Sequence, residues 1–161
     1  EKCEVVDEEP TCVQETFSTC WATSGLHYQT FDGKAFDFTG TCTYTLTKTC
    51  DTDPTLPIFS IEARKEHRGN RKVSYVGSVT LRVYDITITA VRSENGIVRV
   101  NNHRSHLPIS LAQGKLQLQQ KGKTLLIKTD FRLKILYDWG DHVVIKIPSR
   151  FFGKVCGMCG N

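Results

Sequence analysis

The chain has 161 residues, a net charge of +4 and seven cysteines against a single methionine. That length suits one compact domain with a short appendage, in which a single core can bury most of the apolar surface and the cysteines act as reinforcements. No apolar run approaches the roughly 20 residues needed to cross a bilayer, so membrane insertion is not expected, and no signal-peptide pattern opens the chain. The first and last residues fall inside motifs, which leads to the expectation of a longer parent. Seven cysteines without a metal-ligand layout favour an oxidising compartment, and the odd number leaves at least one thiol without a partner inside these boundaries.

Residues 1–19, which open Glu1-Lys2-Cys3-Glu4-Val5-Val6-Asp7-Glu8-Glu9-Pro10-Thr11-Cys12, are acidic and show little apolar periodicity. They read as the tail of a preceding small cysteine-rich module. From Cys20 onward the pattern changes to alternation. Val79, Leu81 and Val83 fall on one face of 78–84, and Ile86, Ile88 and Ala90 on one face of 85–91. The same period of two recurs at 96–100, 115–119, 124–128, 131–137 and 142–147. Hairpin signals stand between these runs at Asn95-Gly96, Lys121-Gly122 and Trp139-Gly140-Asp141. Asn95-Gly96 is the strongest, because a type I′ turn wants positive φ at both central positions. No stretch keeps a helical apolar period. The expected fold is therefore all-β: an antiparallel twisted β-sandwich with short hairpins.

Lysines and arginines are scattered among the acids. The densest basic stretch, 64–72, has the charge to touch an anionic glycan or nucleic acid, but with no interleaved aromatics it reads rather as a solvated loop between strands. Asn101-Asn102-His103-Arg104-Ser105 reads as a polar loop between strands, and Trp21 and Trp139 as core or edge packing for disulfides. There is no N-glycosylation sequon, no GxSxG and no HExxH, so His103, His106 and the other histidines do not assemble a recognisable catalytic set.

Cys156-Gly157-Met158-Cys159 admits three chemistries. A structural zinc site needs a second ligand pair at close spacing, whereas Cys3/Cys12 and Cys42/Cys50 are eight or nine apart. A thioredoxin-type centre needs a helix N-terminus, and the flanking glycines argue for a loop. Two structural disulfides from this loop to two different strands are the plainest of the three.

Four phrases stand in order: Cys20-Trp21-Ala22; His27-Tyr28-Gln29-Thr30-Phe31-Asp32-Gly33; Phe36-Asp37-Phe38-Thr39-Gly40-Thr41-Cys42-Thr43-Tyr44; and Cys156-Gly157-Met158-Cys159-Gly160-Asn161. With them, residues 20–161 resemble the von Willebrand factor type D domain. Asn101-Asn102, Leu107-Pro108, Thr129-Asp130-Phe131 and Tyr137-Asp138-Trp139 look most like D domains of the Fc-binding and zonadhesin type, with gel-forming mucins and tectorins further off.

The resemblance implies the pairings Cys20–Cys159 and Cys50–Cys156. It implies that Cys42 pairs with a following eight-cysteine module and is therefore unpaired here, which leaves Cys3 and Cys12 for a local bridge. It implies a calcium ion, the cofactor of the full-length protein, held between Asp32 and a loop opening at Asn161. The acidic residues expected next are absent, so this chain would carry a partial site, cut at its calcium loop. Family members that cleave themselves carry Gly-Asp-Pro-His where this chain has Ser24-Gly25-Leu26-His27, so self-cleavage is not expected. The implied function is a non-enzymatic structural and adhesive module of a large secreted, mucus- or cell-surface-associated glycoprotein. Its implied partners are other domains of the same protein and extracellular glycoproteins, mucins or IgG Fc. The alternative is a thiol-disulfide exchange element using Cys156 and Cys159 in multimer assembly.

Overall fold

A computed structural model describes residues 2–6, 9–13, 16–23, 27–38, 43–51, 54–67, 74–139 and 142–160; side chains are described from residue 16 onward, apart from 67, 74 and 75. Among the described residues every strand pairing is antiparallel, Ser149–Phe151 is a short 3₁₀ turn, and Ala112–Gly114 is a turn with positive φ at all three residues.

The strands in chain order are β1 (Lys2–Val6), β2 (Glu9–Val13), β3 (Phe17–Thr23), β4 (His27–Gln29), β5 (Ala35–Asp37), β6 (Thr43–Thr49), β7 (Phe59–His67), β8 (Ser74–Val83) and β9 (Ile86–Val91). They continue with β10 (Ile97–Val100), β11 (His103–His106), β12 (Ile109–Leu111), β13 (Leu116–Lys121), β14 (Thr124–Thr129), β15 (Lys134–Tyr137), β16 (His142–Pro148) and β17 (Val155–Cys156). A seven-stranded sheet runs β11-β10-β9-β8-β7-β6-β17, and an eight-stranded sheet runs β12-β13-β14-β15-β16-β3-β4-β5. β1 and β2 pair only with each other, and β3 begins at Phe17, ahead of Cys20.

The two sheets share one core, and the register shows how the period-2 residues build it. Leu118, Ile127, Ile135, Ile145 and Cys20 are successive cross-strand partners, all buried. Facing them from the other sheet, Val98, Ala90, Val79 and Ala63 form one buried row, and Ile88, Leu81, Ile61 and Thr47 another. Such rows remove apolar area from water continuously across the sheet, which is the main favourable term in folding. Tyr137 ties the layers together by donating its hydroxyl hydrogen to the Val76 carbonyl.

Several details depart from the sequence reading. Asn95-Gly96 is not a two-residue hairpin: residues 92–96 form a longer loop in which Gly96 has φ 84 and Asn95 is not at positive φ. Glu94 holds that loop by accepting from Arg99 and Arg104 of the following strands. Among the two-residue hairpin turns, Tyr84-Asp85 (52 and 60) and Asn101-Asn102 (49 and 70) have positive φ at both central positions, and the expected Lys121-Gly122 hairpin is met by the two-residue turn 122–123 between β13 and β14. Thus 101–105 is not a loop: Asn101-Asn102 is the turn, and His103 opens edge strand β11. The expected strand 131–137 begins only at Lys134, because Arg132 sits at φ 67 in a turn closed by Thr129 and Leu133. Arg64–His67 belongs to β7, not to a solvated loop, and Lys65 is buried.

Candidate functional site

The segment 155–160 starts as the edge strand of the seven-stranded sheet and is tied to both sheets. β17 pairs with β6, placing Val155 opposite Thr49 and Cys156 opposite Lys48. The chain then turns, and the Met158 and Cys159 amides donate to the Thr45 and Leu46 carbonyls at 3.0 and 2.8 Å. On the other side, the Phe31 amide donates to the Cys159 carbonyl at 2.9 Å. One short loop is therefore hydrogen-bonded both to β6 and to the Phe31-Asp32-Gly33 turn that links β4 to β5.

Disulfides fix both attachments. Cys20 of β3 is bonded to Cys159 across a Cα–Cα distance of 5.6 Å, and Cys50, just after β6, to Cys156 across 5.9 Å. Both separations lie in the normal span for a bridge. The loops they close are 139 and 106 residues by sequence separation, so chain-entropy models put each at roughly 4 to 5 kcal/mol. The two bridges differ in access: Cys20 and Cys159 are buried, whereas Cys50 is exposed and Cys156 half-buried. Each sulfur of the CxxC is thus bonded to a different sheet, and neither to the other. Thiol exchange needs a free thiolate, which this pairing does not hold.

Cys3 and Cys12 stand directly opposite each other in the β1–β2 register; their side chains lie outside the described residues, as do Cys42 and Asn161 entirely. Asp32 is exposed in its turn, and a Cβ placed on Gly160 would lie 3.9 Å from its Oδ2, so the turn and the Cys159-Gly160 corner are neighbours. Among the described residues no group of three carboxylate, histidine or cysteine side chains could hold a metal. A calcium ion wants six to eight oxygens, and of the expected ligands only Asp32 is among the described residues.

Trp139 is buried against Tyr137, with its Nε1–H donated to Gln120, and Trp21 tilts against His142. His27 is a β4 residue, 2.8 Å from the Asp37 carboxylate.

Sequence reasoning missed a second locus beside the loop. Tyr28, Phe36, Phe38 and Tyr44 form an aromatic cluster, with the Tyr28 and Tyr44 hydroxyls hydrogen-bonded to each other and burial pushing both phenols up. Lys65 enters it from β7, 2% exposed, donating to the Phe38 carbonyl with its ammonium 5.5 Å from the Phe38 ring. Period two at Ile61, Ala63 and Lys65 was the available signal, masked by the polar residues around it.

These features define a class: a disulfide-stapled β-sandwich whose C-terminal loop is bonded back to β3 and to the end of β6. The comparison with known proteins is specific. The von Willebrand factor type D domain matches residues 20–161, and the chain belongs to that family. It is 45% identical to human IgGFc-binding protein over its whole length, 40% identical to pig zonadhesin over 93% of the chain and 37% identical to mouse alpha-tectorin over 93%. Alpha-tectorin thus stands in the same range as zonadhesin rather than further off. The chain spans only 3%, 6% and 7% of the length of IgGFc-binding protein, zonadhesin and alpha-tectorin respectively.

The corner and the aromatic cluster can each be tested by substitution. Gly157 has φ 126, and a Cβ there would stand 2.6 Å from the Leu46 carbonyl oxygen. Gly157→Ala is expected to cost about 1–3 kcal/mol and to lower the yield of correctly bridged protein, read by urea unfolding and non-reducing electrophoresis. Burial holds the Lys65 ammonium below its ordinary pKa. The unfolded chain then binds more protons in the window between the folded and ordinary values, so this group makes stability climb as pH rises through that window. Lys65→Met is expected to flatten the climb in unfolding curves taken from neutral to alkaline pH; an unchanged slope would show that Lys65 is not the source.

Proposed function

We propose that the chain is a non-enzymatic structural and adhesive module of a large secreted or cell-surface glycoprotein. The observation that carries this reading is the loop 155–160, bonded through Cys159 to one sheet and through Cys156 to the other. Such a framework persists only in an oxidising compartment, and membership of the type D family supports the same setting. The relatives' names point to binding roles: IgG Fc for IgGFc-binding protein and adhesion for zonadhesin. The partners proposed are neighbouring domains of the same protein, including a following eight-cysteine module that takes up Cys42, and extracellular glycoproteins, mucins or IgG Fc. Residues 1–19 are proposed as the tail of a preceding small cysteine-rich module, bridged by Cys3–Cys12.

Calcium is proposed as the cofactor of the longer protein, with Asp32 supplying one oxygen and Asn161 another. A hard cation gains from the carboxylate, and holding it would brace the turn against the Cys159 corner. The ion is expected to raise the melting temperature of the longer protein by mass action on the folded state, and Asp32→Ala to abolish the rise. If the variant keeps its calcium response, Asp32 is not a ligand.

The direct test of the module reading is non-reducing peptide mapping after alkylation, on protein from an oxidising host. Cys20–Cys159 and Cys50–Cys156 should be recovered, with Cys42 as the alkylated thiol. Recovery of Cys156 and Cys159 as free thiols, or bonded to each other, would instead favour an exchange element.

A further inference from the structure

On the outward face of the eight-stranded sheet, Lys128, Lys134 and Lys146 are successive register partners on β14, β15 and β16. The row continues through polar neighbours, Gln117 on β13 and Thr19 on β3. Adjacent strands lie ~4.8 Å apart, so three lysines are lined up over roughly 10 Å. Lys134 and Lys146 are exposed and Lys128 half-buried.

Like charges directly opposite one another destabilise a sheet, and no ion pair among the described residues offsets these. The ion pairs of the described residues include His27 with Asp37, Arg82 with Glu62, and Glu94 with Arg99 and Arg104. Asp130, in the turn between β14 and β15, accepts from the Tyr84 hydroxyl instead.

Beside the lysines runs an apolar row on the same face: Leu126, Leu136, Val144 and Trp21, again register partners. These alternate with the core residues and point away from them. Leu126 is buried under its neighbours, while Leu136, Val144 and Trp21 remain half-exposed. A shallow depression of about 260 Å³ opens where Leu136, Val144 and Lys146 meet Asp138 and His142.

The surface thus offers evenly spaced point charges on flexible stems next to an apolar ridge ending in an indole. All three lysine-bearing strands are interior, paired on both sides. An extended peptide would find no free backbone edge here for strand addition. A single indole is also too little for a stacking binder of nucleic acid. A polymer of sugar rings fits better, since its C–H faces can lie on Trp21, Val144 and Leu136 while its anionic groups reach the ammonium row. We propose that this face binds a sulfated or carboxylated polysaccharide. The proposal rests on the adhesive reading for its extracellular setting and adds the ligand class.

The experiment uses the whole chain with its bridges mapped first. Immobilised heparin serves as the sulfated probe, hyaluronan as the carboxylated one and polyglutamate as an acidic peptide, each from low to physiological salt. Binding to heparin, hyaluronan or both is expected, and which one identifies the anionic group. Lys128→Gln, Lys134→Gln and Lys146→Gln combined should weaken binding by about tenfold or more and reduce the salt slope by about two to three. Trp21→Ala should weaken binding with the slope kept. Arg82→Gln with Arg104→Gln, on the opposite sheet, should bind like the parent.

Independently of any ligand, Lys134→Gln should raise the melting temperature by about 1–3 °C at low salt. A lysine-free row that binds like the parent overturns the proposal. So does equal loss in the arginine pair, polyglutamate binding as tightly as either sugar, or a correctly bridged chain that ignores both polysaccharides. The last result leaves the module reading standing; a chain that cannot form its bridges removes both.

Discussion

A β-sandwich of this kind faces a closure problem, since its two sheets meet mainly through apolar side chains and their ends are free to splay. Here the problem is met covalently at one corner. The loop 155–160 carries two sulfurs, one bonded to β3 in the eight-stranded sheet and one to the residue after β6 in the seven-stranded sheet. Because the bridges close loops of over a hundred residues, their main effect falls on the unfolded chain, whose conformational freedom they restrict. The folded side contributes the amides of Met158 and Cys159, seated on β6 carbonyls, and the Cys159 carbonyl that holds the Phe31 turn. Asp32 takes its place from this corner.

Behind that corner the structure accepts local costs. Lys65 is buried among aromatic rings, and Thr47 is buried with its hydroxyl unpartnered among the described residues. A buried ammonium is tolerated only with compensation, and here the Phe38 carbonyl and ring provide it. On the outward side, three lysines face one another across adjacent strands, and none joins an ion pair among the described residues. The first arrangement is offset internally and the second is not, which is why the second directs attention outward to a ligand.

Much of the fold was legible because strand pairing is itself periodic. Val79, Leu81 and Val83, or Ile86, Ile88 and Ala90, alternate because one face must be buried, and all but the half-buried Ile86 are core residues. Turns were less legible. Asn95-Gly96 has the composition of a tight hairpin, but the Glu94 ion pairs anchor a longer loop there. Lys121-Gly122 does mark a tight hairpin, the two-residue turn Gly122-Lys123 between β13 and β14, whereas the turns at Tyr84-Asp85 and Asn101-Asn102 form where backbone geometry overrides a weaker compositional signal. Arg64–His67 misled for a related reason: its charge density read as solvent-exposed, although alternate residues on β7 must point inward whatever they are.

The sequence by itself determined the all-β class, the alternation that sorts residues between core and solvent, and the family, through ordered motifs whose residues are local to one another. Tertiary structure alone decided where Lys65 sits and how the turns are closed. It alone revealed the lysine row, because Lys128, Lys134 and Lys146 are scattered in the chain and become neighbours only through the register of three strands. Period two tells which face a residue takes. It cannot tell which residue stands across from it, since that depends on turn lengths and bulges set by the folded chain as a whole.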